Sequence, residues 1–230
     1  MNYFIDSFSA AFDLIISFDP AIYQIATTSV LISITAAVIA AIFAIPAGVK
    51  MALTHFRGKA FIQHILNTLM AMPTVVIGLL LYGLFSRLGP LGHWGLLYTP
   101  TAIIIAEAIL IFPIMMNLSI TAVQSADPRL VPTLTSLGAK PLPLMIQVIR
   151  TTRLAMLAAV VTGFGRAIGE VGAAMMLGGN IEGFTRTMTT AIALETSKGD
   201  FELGLALGLL LLIIAFALNF MLSWLNSRHD

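Results

Sequence analysis

Arg166 and Glu170 are the residues whose types and spacing come closest to chemistry in this chain. They stand four apart in the apolar stretch GFGRAIGEVGAAMMLGG. On a helix they lie about 40° apart and share a face. Glu107, in another apolar stretch, sits at comparable depth and is a second possible partner for Arg166. An ionised group in hydrocarbon costs at least about 2.5 kcal/mol, so such groups face protein or water and take a partner. Two readings stand: a polar element lining or gating a pathway, or a structural ion pair joining two helices. The three groups make no anion site by themselves, because two carboxylates offset one guanidinium. Pro73, in MAMPTVVIG, interrupts a third apolar stretch, and Pro46 and Pro113 fall in others. Each frees backbone carbonyls and kinks a helix, along a transport route or for packing alone. Met175 and Met176 end the Arg166 stretch; they are candidates for a water-excluding gate, with plain packing or lipid contact as the alternative.

Other chemistry is excluded. Gly163-Phe-Gly165-Arg-Ala-Ile-Gly169 has the wrong spacing for a dinucleotide loop. Gly178 to Thr185 imitates a phosphate loop, but Phe184 stands where that loop needs Lys. There is no HExxH and no nucleophile elbow, so no catalytic residue is assigned. Cysteine is absent, and His55, His64, His93 and His229 are scattered. No metal site or bound cofactor is expected. The net charge of +1 carries no nucleic-acid footprint.

The elements that position these residues are membrane helices. Of the 230 residues 58% are hydrophobic and 10% charged, against the quarter or so charged in a soluble domain. About 20 apolar residues cross a bilayer, and five such spans are read: Ala21–Val49, Ile62–Phe85, Thr101–Val123, Leu154–Gly178 and Phe201–Leu225. The expected fold is an all-α integral membrane protein, a polytopic bundle in one domain. Residues 1–20 form an N-terminal segment without a basic signal-peptide region, and 226–230 a short tail. Small residues such as Gly163, Gly165, Gly169 and Gly172 suit close helix packing, or a hinge. Gly165-x-x-x-Gly169 and Gly204-x-x-x-Gly208 match GxxxG. Between spans four and five, Thr187–Thr196 reads as a short re-entrant or interfacial helix.

Basic residues fix the orientation. Lys50, Arg57, Lys59, Arg129, Lys140, Arg150, Arg153 and Arg228 fall on one side, and Arg87, Arg186 and Lys198 on the other. This predicts an N-terminus outside and a C-terminus in the cytoplasm. Residues 124–153, QSADPRLVPTLTSLGAKPLPLMIQVIRTTR, then form a cytoplasmic loop. It is too polar to cross a bilayer and too apolar for a disordered linker. Its helix-sized core, Leu134 to Ile149, is broken by Pro141 and Pro143. A surface of this kind suits docking to another protein.

Leu137-Gly138-Ala139, with the basic cluster and apolar span after it, resembles the coupling loop of ABC importer permeases of type I. The usual Glu-Ala-Ala opening is replaced near Pro132-Thr133-Leu134, and the later proline by Arg150 to Arg153. MPTVVIG, GPLG with LLYTPTA, and the block from Gly163 to Gly208 extend the likeness over nearly the whole chain. That block is similar to permeases of tungstate importers, neighbours of the molybdate group. The resemblance implies a homodimer in the cytoplasmic membrane with an ABC ATPase below, which uses the ATP, and an extracytoplasmic oxyanion-binding protein above. It maps a coupling helix to about Thr133–Pro143. Leu134, Leu137, Leu142 and Met145 would enter a groove on the ATPase around Gly138 and Ala139, with Lys140 at the rim. A stand-alone channel or carrier, and a membrane scaffold, are the competing classes.

Overall fold

The computed structural model describes residues 2–227; Arg228 and His229 lie outside the described residues. Eleven α-helices follow in order: α1 (Asn2–Ile16), α2 (Pro20–Leu53), α3 (Lys59–Met70), α4 (Thr74–Phe85), α5 (Pro100–Gln124), α6 (Leu130–Ser136), α7 (Pro141–Thr151), α8 (Arg153–Ile168), α9 (Gly172–Gly178), α10 (Met188–Lys198) and α11 (Phe201–Ser227). A 3-10 turn, Gly92–Trp94, precedes α5. The protein is an all-α polytopic membrane bundle. Among the described residues three helices, α2, α5 and α11, are long and apolar enough to cross a membrane, or up to five spans exist if each of two bent pairs is one.

The long helices start where short-range chemistry says they should. Asp19 Oδ1 accepts from the Ala21 and Ile22 N–H groups at 2.9 and 3.2 Å, and Pro20 fills the first helical position. Thr99 and Pro100 repeat the device for α5, and a Thr187–Thr190 capping box opens α10. Neither Pro46 nor Pro113 stops its helix.

α5 is the central helix, with 56% of its spanning window buried against 17% for α11. It lies along an alanine-rich face of α2, where Ala36, Ala37, Ala40 and Ala44 are all buried. At Gly48 a β-carbon would stand 2.6 Å from the Met116 carbonyl oxygen. Close backbone approach through small residues is the membrane substitute for a hydrophobic driving force. α1 packs on α11, with Ala11 buried.

Two expected spans are not continuous. Ile62–Phe85 divides at Ala71–Pro73, where α3 and α4 meet at 95°. Proline at this N-cap frees the preceding carbonyls, and α3 is an amphipathic helix that buries only Leu66. The span Leu154–Gly178 divides at Gly169–Val171. Gly169 gives up helix cheaply, and α9 starts anew behind Glu170. It is α7 that continues into α8, across a 76° bend.

The glycine expectations change with this break. Gly163 packs on Met115 and Gly172 on Val75, but a β-carbon at Gly165 or Gly208 would meet nothing. Within this chain, then, neither GxxxG match brings both of its glycines against a neighbouring helix. The expected helix at Thr187–Thr196 is present as α10.

Candidate functional site

Arg166 occupies the last turn of α8 and Glu170 the break after it. Arg166 Nη1 donates to Glu170 Oε2 at 3.0 Å. The other oxygen, Oε1, accepts the Ala173 N–H at 3.1 Å and so caps the start of α9. The Glu170 backbone carbonyl accepts from Thr189 Oγ1 at 2.7 Å. Glu170 is buried, while the Arg166 side chain is 40% exposed. The spacing argument thus finds the right pair, and the carboxylate also holds two helices together.

Glu107 does not take Arg166. It is buried on α5, and its Oε2 has no hydrogen-bond partner. Around these groups lies a hydroxyl network that sequence reading missed. Met188 N–H donates to Ser29 Oγ at 2.6 Å, across 159 residues. Thr187, Thr189 and Thr190 are buried beside it. The local signal was a run of Ser and Thr in TTSVLISIT and TRTMTT.

Pro73 is exposed at the α3–α4 break. Met175 and Met176 are half-buried in α9, and the Met176 sulfur packs close to Gly78 of α4. The false phosphate loop is closed on itself: Thr185 Oγ1 donates to the Gly178 carbonyl at 2.6 Å and accepts the Ile181 N–H at 3.0 Å.

The loop 124–153 is two helices at a corner, not one helix broken by proline. Pro141 opens α7 at a position whose N–H would have no partner anyway. Between α6 and α7, Gly138 takes φ +74°, a left-handed conformation that glycine adopts without cost. The expected coupling helix at Thr133–Pro143 is therefore the last turn of α6, this turn, and the first turn of α7. Leu137 is 79% and Leu142 67% exposed, and Lys140 is exposed. Leu134 and Ala139 are half-buried. Met145 faces inward, in a cluster with Val49, Val148 and Met156. That cluster seats the corner on the ends of α2 and α5.

The bundle thus has two broken helices, a buried carboxylate paired with a half-exposed guanidinium, and an apolar corner at one end. Residues 40–230 match the binding-protein-dependent transport system inner membrane component family. The chain belongs to this family. It is the membrane permease subunit of an ABC importer, a transport component rather than an enzyme. It is 44% identical to the tungstate uptake system permease protein of Peptoclostridium acidaminophilum, over 95% of this chain and 96% of that one. Identity to the protein of the same description from Campylobacter jejuni is 39%, over 96% and 92%. A probable anion ABC transporter permease of Haloferax volcanii is 36% identical over 85% and 87%. A solved amino acid ABC transporter superposes with a TM-score of 0.64 at 17% identity, covering 93% of this permease and 96% of that chain. That likeness speaks for the fold alone.

Proposed function

We propose that this permease carries tungstate, or a tetrahedral oxyanion like it, as one half of a homodimeric, ATP-driven importer. What carries the reading is identity of 44% and 39%, over nearly full length, to two tungstate uptake permeases. The exposed corner at Leu137 and Leu142 supports an ATPase docking there and supplying the ATP chemistry. The orientation is N-terminus outside and corner in the cytoplasm. It is supported by Lys50, Arg57, Lys59, Arg129, Lys140, Arg150 and Arg153, which cluster in the connections around the cluster of Val49, Val148 and Met156. An extracytoplasmic binding protein then delivers cargo at the opposite end, near Tyr98 and Gly179. Arg166 and Glu170 hold the α8–α9 break open beside the route, and Met175 and Met176 bound its outer side.

Selectivity is tested by ATP hydrolysis in the reconstituted importer. Binding protein loaded with tungstate should stimulate hydrolysis more than binding protein offered molybdate, and sulfate should do nothing. Equal stimulation by sulfate would contradict the oxyanion assignment.

A further inference from the structure

A cavity of about 790 Å³ opens at the corner end of the bundle, between the last turns of α5 and the α7–α8 bend. Arg150 and Arg153 line it, with Ser125 and Thr121 on the α5 side and Leu118 and Ala158 among its apolar walls. No carboxylate lines it. Among the described residues neither arginine has an ion-pair partner. Of the acids flanking them in sequence, Asp127 accepts the Arg129 backbone N–H and Glu170 pairs with Arg166. Two permanently charged guanidiniums are thus held three residues apart with nothing between them to offset the repulsion. Thr152, where α7 ends and α8 begins, makes no side-chain bond to the first turn of α8.

The cavity also joins a continuous surface. Arg153, Ala155, Thr162, Gly165, Arg166 and Gly169 are all exposed on α8. Ala155, Thr162, Arg166 and Gly169 recur at intervals of seven, four and three residues and make one stripe, small or polar throughout. It runs about 21 Å from Ala155 to Gly169 at 1.5 Å per residue. A β-carbon at Gly165, beside the stripe, would meet nothing.

We infer that the Arg150–Arg153 cavity is a release-side subsite for the tetrahedral oxyanion, the last site the cargo occupies before leaving for the cytoplasm. This rests on the function proposed above. The arginines supply charge and forked N–H donors. The hydroxyls contribute less: Thr121, Thr151, Thr152 and Thr162 each donate to a carbonyl four residues back, which leaves Ser125 free to turn toward the anion. A wide, open site with two cations holds a dianion weakly, as a route that must let its cargo go requires.

The chain has no cysteine, so Ser125→Cys creates a single thiol at the cavity wall. The full-length permease carrying Ser125→Cys is placed in phosphatidylcholine nanodiscs, and its labelling by a small neutral maleimide is timed in sodium tungstate and in sodium chloride of equal ionic strength. Tungstate should slow labelling about ten-fold once it exceeds its dissociation constant by about ten-fold. Arg150→Gln with Arg153→Gln should abolish the protection. A single thiol at Ser86→Cys, at the other end of the bundle, should label at one rate throughout. Absence of protection in Ser125→Cys alone overturns the inference, whether or not the arginine variants fold. So does protection that survives loss of both arginines. If phosphatidylglycerol nanodiscs give full protection without tungstate, the site holds a lipid phosphate and the oxyanion assignment is wrong. ATP-driven tungstate uptake by the unmodified importer is measured separately. Uptake without protection removes the subsite and leaves the function standing. Protection without uptake does the reverse.

Discussion

Glu170 uses its two carboxylate oxygens for different purposes, and they can be separated. Oε2 pairs with Arg166, whose side chain is 40% exposed on the surface of the chain, so that contact is the less enclosed of the two. Oε1 caps α9 through the buried Ala173 N–H, and losing it strands a donor at a cost of about 1–3 kcal/mol. Glu170→Gln keeps an oxygen for Ala173 and should melt close to the parent protein in detergent. Glu170→Ala should melt several degrees lower. Equal losses in both would mean that the charge, not the cap, is what stabilises the break. Spacing alone pointed to this pair, because residues four apart on one helix must face the same way. It could not show the cap, since Gly169 ends the helix between them.

At the scale of elements, the most extensive contact is α2 against α5. A β-carbon at Gly48 would lie 2.6 Å from a backbone oxygen, which cannot rotate aside, and 2.8 Å from Ser119 Cβ. Gly48→Val should therefore cost about 1–3 kcal/mol or more. Gly208→Val on α11, where a β-carbon meets nothing, should be close to neutral; thermal unfolding of the two variants side by side checks this. The α6–α7 corner makes a different prediction. Leu142→Asp removes exposed apolar surface without disturbing the bundle, so the variant should insert and melt normally yet fail to co-purify the ATPase. Retained ATPase would count against docking there. The unbroken helices were legible in the sequence: Ala21–Val49 was expected where Pro20–Leu53 is found, because length and hydropathy suffice for a straight span. Pro73 marked the first break as a kink, but its 95° angle and the second break at Gly169–Val171 were not legible, because apolar residues flank both and either stretch is long enough for one straight span. Ser29 and Thr189 were equally hidden, since their partners come from helices far away in sequence.

For the whole molecule, one broken helix pair faces another. α4 and α9 are short, and they pack where Gly78 meets Ala173 and Met176. The basic corner at one end and the turns around Tyr98 and Gly179 at the other give the bundle two different faces, as a one-way importer needs. Family membership makes this a permease subunit; the proposed partners make it a machine. The most direct test is uptake into proteoliposomes containing this chain, its ATPase and its binding protein. The account predicts tungstate accumulation only when all three and ATP are present. Tungstate entering vesicles that hold this chain alone, without ATP, would contradict it and would favour a stand-alone channel or carrier.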